Sequence, residues 1–275
     1  MKNEIFDQML SAYEQTTEQQ KRNAIFEVNQ QIILAGLYNG GFFDVAAFYG
    51  GTCLRIFHGL QRFSEDMDFS LLAPKDNFDF TQYFQPIIDE FALVGREVEI
   101  KKKDKKNFGK VESAFLKDNT DVYDLTFQTE KSIKIKIEVD TQPPLGFKTE
   151  QKLLLLPESF MARCFTLPDL FAGKMHALTY RAWKNRVKGR DWYDLEWYIR
   201  HNTPLDFSHF QERALQFNQE EINRETFLEK LKERLSTADI NQVKADVRPF
   251  VRNPKELDIW SNDYFLQLAD MIRFE

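Results

Sequence analysis

The sequence predicts an α+β fold, in which a mixed α/β first part runs to about residue 165 and a wholly helical part follows it. Three observations predict this. In residues 133–139, Ile133, Ile135, Ile137 and Val139 alternate with Lys134, Lys136, Glu138 and Asp140, which makes a strand with one buried face and one polar face. The apolar stretch 45–49 ends in Gly50-Gly51 and passes into helical character at Thr52, a strand-to-helix turn. From Leu167 onward the apolar spacing is helical throughout.

The elements follow in order. Residues 18–37 are predicted to form a helix, with Ile25, Val28, Ile32 and Ile33 at helical spacing and Gly40-Gly41 as its stop. After the 45–49 strand, residues 52–57 form a short helix that Gly59 can cap, and 67–71 is the next strand. An amphipathic helix over 80–93 precedes alternating segments at 98–102, 111–116, 122–127 and 133–139. Residues 141–166 carry no assigned element. Helices are then expected over 167–182, 191–200, 207–217, 226–235 and 264–272. The expected division is residues 1–165 as an α/β core with N-terminal helices, and 166–275 as a helical domain contributing to the cleft.

Composition narrows the function classes. With 275 residues, 43% of them hydrophobic and 26 of them Phe, the chain can bury a substantial core, which excludes a disordered or fibrous protein. Two cysteines, Cys53 and Cys164, exclude a disulfide framework or a four-cysteine zinc site and read as small buried hydrophobes. The N-terminal segment carries acids early, and nowhere do 18 apolar residues run together, so the expected setting is cytoplasmic, with no membrane partner. The net charge of −6 and a pI of about 5.5 argue against a protein that coats nucleic acid through its whole surface. Two basic runs remain. Lys101, Lys102, Lys103, Lys105, Lys106 and Lys110 suit either a solvated edge strand or a nucleic-acid contact. Arg181, Lys184, Arg186, Lys188 and Arg190 form the other.

The chemistry concentrates in Phe48-Tyr-Gly-Gly-Thr-Cys-Leu-Arg55 and Arg62-Phe-Ser-Glu-Asp-Met-Asp-Phe69. A strand ending in Gly50-Gly51 and opening a helix at Thr52 lets the backbone approach a ligand and aims free amides at it, which suits a phosphate. Thr52 adds a hydroxyl, and Arg55 lies about one turn along the same helix. On a strand, Asp66 and Asp68 share one face while Met67 points into the core. Two carboxylates so close repel unless a cation lies between them, and hard oxygen ligands suit Mg²⁺. The bland alternative is a surface strand with two solvated acids. A further carboxylate is offered by Glu138 or Asp140; Glu138 is preferred because Ile137 and Val139 anchor it in the strand, whereas Asp140 precedes Thr-Gln-Pro-Pro.

Those two motifs resemble the signature of the AbiEii/AbiGii toxin-like nucleotidyltransferases. Lys174-Met-His-Ala-Leu-Thr-Tyr-Arg181 and Arg190-Asp-Trp-Tyr-Asp-Leu195 are similar to the family's later motifs, so the likeness spans about residues 45–200. Cys53 and Met67 depart from the usual small apolar and branched aliphatic residues without touching a proposed ligand. The resemblance implies a DNA-polymerase-β-like core with a helical C-terminal portion, and transfer of NMP from an NTP with release of pyrophosphate. It also implies a setting in bacterial toxin–antitoxin or phage-defence systems, with a cognate antitoxin as partner and tRNA as the acceptor of some members.

In that frame Asp66 and Asp68 bridge two Mg²⁺ (or Mn²⁺) ions, and Glu138 completes the shell of the ion that activates the attacking hydroxyl. Gly50, Gly51 and Thr52 cradle the phosphates, and Arg55 and Ser64 join the nucleotide-binding set. Phe171, Lys174, Leu178 and Arg181 lie along one stripe, so Lys174 and Arg181 are expected to reach the triphosphate; the alternative for Lys174 is a lysine lying over the core with its ammonium in water. Asp191 is either an active-site residue or a helix N-cap, with Asp194 secondary to it. His58, His176 and His201 have no partner at metal-ligand spacing and are set aside. Two rival readings stand: the same metal clamp acting on a protein or an antibiotic-like small molecule, and an inactive regulatory module.

Overall fold

The computed structural model describes residues 4–103, 120–127, 133–181 and 187–275. The predicted strand at 111–116 and the basic residues Lys105, Lys106, Lys110, Lys184 and Arg186 lie outside them. No helix among the described residues is long and apolar enough to cross a membrane.

Two helices come first, α1 (Glu4–Ser11) and α2 (Glu18–Asn39). A capping box opens α2, where Thr17 Oγ1 accepts from the Gln20 amide while the Gln20 side chain accepts from the Thr17 amide. Gly41, at φ 73°, turns the chain away after the helix. Then follow β1 (Ala46–Tyr49), α3 (Gly50–His58), β2 (Met67–Leu71), α4 (Phe84–Leu93), β3 (Val98–Lys102), β4 (Thr120–Phe127), β5 (Lys134–Asp140), β6 (Thr149–Leu154) and β7 (Phe160–Phe165). The remainder is helical: α5 (Leu167–Tyr180), α6 (Gly189–Arg200), α7 (Phe207–Asn218), α8 (Arg224–Thr237), α9 (Ile240–Val247) and α10 (Asn262–Asp270).

The seven strands form one mixed sheet in the order β3-β4-β5-β2-β1-β7-β6. β2 runs antiparallel to β1 and parallel to β5, and β1 runs parallel to β7. Met67, Phe69, Leu71, Ile135, Ile137, Val139 and Phe48 are all buried. Phe42 packs edge-on against Phe69, Phe80 and Tyr83 with centroids 5.2, 5.3 and 4.8 Å apart, an aromatic cluster that holds α2 and the start of α4 to the sheet.

The single helix expected over 80–93 is divided. Asp79 caps a 3₁₀ turn, Phe80–Tyr83, and the α-helix proper begins at Phe84, which puts Pro86 in the first turn, where its missing N–H costs no hydrogen bond. β6 and β7 fall in the stretch left unassigned. β6 is an edge strand in which half-exposed and exposed residues alternate without a buried face, so its pattern carries no apolar period.

By internal contacts the chain divides into two compact units, each assembled from several stretches. One comprises Met1–Phe57, Glu65–Pro143 and Thr149–Cys164 and contains the sheet. The other comprises His58–Ser64, Pro144–Lys148 and Phe165–Glu275, and is helical.

Candidate active site

In the sheet unit, the register of three strands builds an acidic face. Asp68 lies opposite Tyr49 on β1 and opposite Glu138 on β5, so the carboxylates of Asp68 and Glu138 stand side by side on neighbouring central strands. Asp68 also closes against the glycine turn: a Cβ at position 50 would lie 2.3 Å from its Oδ2, and Gly50 has φ +81°. Only glycine meets both demands, the space and the left-handed backbone. Asp66 immediately precedes β2, and its carbonyl accepts a hydrogen bond from Thr52 Oγ1, tying the first turn of α3 to the entry of β2. The Thr52 side chain is buried, and its hydroxyl holds the turn and the strand together.

A cation is already built into this face. The Lys136 ammonium lies 2.8 Å from Glu138 Oε1 and 3.7 Å from Asp66 Oδ2. Burial works against its charge, but Asp66, Glu138 and Asp68 outweigh it and hold the ammonium well above the usual lysine range. The residues that could hold a divalent ion here are Asp66, Asp68 and Glu138. Their chemistry fits, because hard oxygens on neighbouring strands already share one cation between two of them. Among the described residues no three His, Cys, Asp or Glu side chains are drawn together tightly enough to encage an ion unaided, so water and substrate would have to complete any shell. Asp140, the alternative third carboxylate, is buried at the end of β5, where its Oδ1 accepts from the Gln142 amide.

Arg55, expected at the nucleotide, ion-pairs through Nε with Glu27 Oε2 at 2.8 Å, and Glu27 Oε1 accepts from the Tyr13 hydroxyl. This network fastens α3 to α2.

In the helical unit, a second cluster forms around α5 and α6. Lys174 Nζ lies 2.8 Å from both Asp191 Oδ1 and Asp194 Oδ2. Arg181 Nη1 reaches Asp191 Oδ2 at 3.0 Å, and Arg62 grips Asp194 in two-pronged fashion, Nε and Nη2 each 2.6 Å from a carboxylate oxygen. The Arg62 and Asp194 side chains are 2% and 0% exposed. Burial alone would push both carboxyls up. Lys174, Arg181 and Lys188 overcome it at Asp191, and Arg62 and Lys174 overcome it at Asp194, so both lie below the usual carboxylate range. Lys188, preceding α6, shows the reverse. Burial, aided by Arg181, pushes it down to about 8 against the pull of Asp191.

Asp191 does not cap α6. The N-cap position belongs to Lys188, and both Asp191 oxygens face cations from α5 or its end. Ser64 is buried in the segment that carries Arg62. Lys174 does not extend over the core into water, since its ammonium is held between two buried aspartates. His176 is a packing residue. It hydrogen-bonds to Asn218 at 2.7 Å among Tyr180, Phe210 and Phe217.

Sequence reasoning missed two participants. Lys136 carried a signal, since it shares the polar face of its strand with Glu138 two residues away. Arg62 carried none beyond its place in a motif, because its partner lies 132 residues on.

A family model described as nucleotidyl transferase AbiEii toxin, type IV TA system, matches residues 32–268. Among solved structures, MenT4, a nucleotidyltransferase toxin from Mycobacterium tuberculosis H37Rv, is similar at 14% identity and a TM-score of 0.56, over 98% of this chain and 94% of that one. JHP933 from Helicobacter pylori is similar at 18% identity and a TM-score of 0.52, over 94% and 91%. At such identities the likeness is one of fold: a mixed sheet with helices, followed by a helical region. No curated protein matches in sequence. With the family model spanning both motif groups and most of the chain, the protein belongs to the AbiEii nucleotidyltransferase toxins of type IV toxin–antitoxin systems.

Proposed function

We propose that the chain transfers a nucleoside monophosphate from an NTP to an acceptor hydroxyl on RNA, with tRNA the first candidate, and releases pyrophosphate. The observation that carries this reading is Asp68, closed against the Gly50 turn and in register with Glu138. Asp66, Asp68 and Glu138 would hold Mg²⁺, or Mn²⁺ in its place. The bound ion supplies positive charge to the triphosphate and favours ionisation of the attacking hydroxyl.

The chain's own residues do the rest. Gly50 and Gly51 open α3, so their amides and the positive end of the helix face incoming phosphate oxygens. Thr52 keeps that turn tied to the carboxylate strand. In the helical unit Lys174 and Arg181 offer positive charge to a phosphate-bearing substrate, with Asp191 and Asp194 fixing the lysine in place. Arg55, paired with Glu27, braces the helix that the turn opens. A cognate antitoxin would restrain the activity in the cytoplasm, in a toxin–antitoxin or phage-defence setting.

The test is incubation with each labelled NTP, total cell RNA, protein extract and aminoglycosides, with Mg²⁺ present or chelated. Label on RNA that requires the divalent ion supports the reading. Label on protein or on the small molecules keeps the enzyme and replaces the acceptor. No transfer to any acceptor, or transfer indifferent to chelation, sinks it.

A further inference from the structure

We infer, on the reading of Gly50 and Gly51 as a phosphate cradle, that Tyr13 in the linker between α1 and α2 is a positioning residue for the triphosphate, acting through Glu27 and Arg55 on the direction of α3.

The lever is short. α3 has nine residues, of which Thr52, Cys53 and Leu54 are buried, while Arg55 to His58 are half-exposed. Thr52 Oγ1 donates to the Asp66 carbonyl and pins the first turn. A helix held at one point can still swing about it, and the amides at its start swing with it. Phe57 lies edge-on against Phe48 with centroids 6.3 Å apart, a non-directional contact that holds the helix down without aiming it. Arg55, about 4.5 Å further along the axis than Thr52, supplies a second fixed point through its Nε, 2.8 Å from Glu27 Oε2. Two fixed points set the axis, and the axis sets where the Gly50 and Gly51 amides and the positive end of the helix are aimed.

That second point is only as firm as the carboxylate that makes it, and Tyr13 holds the carboxylate. Glu27 Oε1 accepts from the Tyr13 hydroxyl at 3.0 Å and Oε2 accepts from Arg55, so each oxygen has its own donor and the plane of the group is set. The hydroxyl in turn accepts from Gln31 Nε2 at 2.7 Å, which commits its single proton to Glu27. Glu27 and Gln31 stand at i and i+4 on one face of the 22-residue α2, so the support beneath the tyrosine is rigid. Burial, and then the Glu27 charge, hold the phenol well above its ordinary value, so it remains a donor across the neutral range. Tyr13, Glu27 and Gln31 all precede residue 32, where the family match begins, so the cradle in the motif is braced from outside the matched stretch.

The experiment measures KM for the NTP, kcat, and calorimetric binding of a non-hydrolysable triphosphate on the full chain as wild type, Tyr13→Phe, Arg55→Gln and the double variant, with melts in parallel. Tyr13→Phe keeps the ring and removes the hydroxyl. Its KM and the Kd of the analogue are expected to rise about threefold to tenfold, the worth of one net hydrogen bond, with kcat within about twofold of wild type. The double variant should match Arg55→Gln alone, because both changes act along one route. A lowered melt in Tyr13→Phe with KM and Kd unmoved marks a merely structural hydroxyl and overturns the inference, as does a double variant whose losses add. If Arg55→Gln does not fold, KM and Kd of Tyr13→Phe alone decide. Wild type that fails to bind the analogue overturns the phosphate cradle itself.

Discussion

Asp68 and position 50 occupy almost the same space, and this makes the turn intolerant of any side chain. Gly50→Ala is expected to abolish transfer and lower the melting temperature. The new Cβ displaces the carboxylate, and the left-handed backbone costs about 1–2 kcal/mol for a residue with a side chain. Asp68→Ala and Asp66→Ala should instead abolish transfer while leaving the melt within a few degrees of wild type, since each relieves repulsion in an acidic face. Labelled-NTP transfer with parallel melts separates the two classes. Retention of most activity by either alanine variant would refute the site.

Asp169 tests another property. It is buried at the first turn of α5, with Oδ2 accepting from Thr166 Oγ1 and the Lys148 amide, while Oδ1 has no partner. Burial, against the pull of those hydrogen bonds, raises its carboxyl to about 6. A raised carboxyl favours folding while protonated, and the favour is lost as pH climbs from about 4 through 6. Asp169→Asn should therefore be more stable than wild type at pH 7.5, by about 1–2 kcal/mol once solvent screening is allowed for, with the gain gone at pH 4. Denaturant melts at the two pH values check it. At this scale the sequence revealed the carboxylates of the sheet face, because period-two spacing puts Asp66 with Asp68 and sets Glu138 between core residues. It did not reveal that Thr52 bonds to the Asp66 carbonyl or that Arg55 pairs with Glu27, contacts that spacing does not encode.

Between α5 and α6, a stripe became a cluster. The spacing of Lys174 and Arg181 placed both on one face of α5, and the i, i+3 spacing of Asp191 and Asp194 did the same on α6, but which stripe meets which is decided by packing. Gly189 shows how tight the packing around α6 is: a Cβ there would lie 2.1 Å from the Val243 carbonyl oxygen, in α9. Because Lys188 titrates near 8, binding of a triphosphate to this cluster should weaken as pH rises from 7 to 9, since the ammonium is charged below that value and neutral above it. Calorimetry with the non-hydrolysable analogue should show the slope in wild type and a flat profile in Lys188→Met; a wild-type profile without slope would exclude Lys188 from anion binding. β6 escaped detection for a different reason, since an edge strand without a buried face has no apolar alternation to read, whereas β7 does bury Phe160, Ala162 and Cys164 in alternation, with small side chains at two of the three positions.

Across the whole molecule, neither unit is a continuous stretch of chain. The helical unit includes His58–Ser64, from which Arg62 enters the buried pair with Asp194 and Phe63 donates its amide to the Phe250 carbonyl at 2.8 Å. Arg62→Ala leaves Asp194 beside Lys174 alone and should cost about 3–5 kcal/mol. A fragment of residues 166–275 lacks that segment altogether and is expected to show no cooperative melt by circular dichroism; a sharp transition would mean that the Arg62 segment is dispensable. The change from strands to helices near residue 165 was legible because hydrophobic periodicity changes there, whereas the exchange of short segments was not, because a seven-residue loop carries no period of its own.

The sheet order bears on synthesis as well as on chemistry. β2 emerges early from the ribosome, yet its neighbours in the finished sheet are β1 and the much later β5, so Asp68 waits for a partner strand not yet made. A nascent chain halted before residue 134 carries the aspartate pair without Glu138 or Lys136, and one halted before 174 lacks the lysine of the basic cluster. On the proposed reading, translation products that stop short of α6 lack Asp191 and Asp194, so only chains read past that helix carry every group assigned to the chemistry.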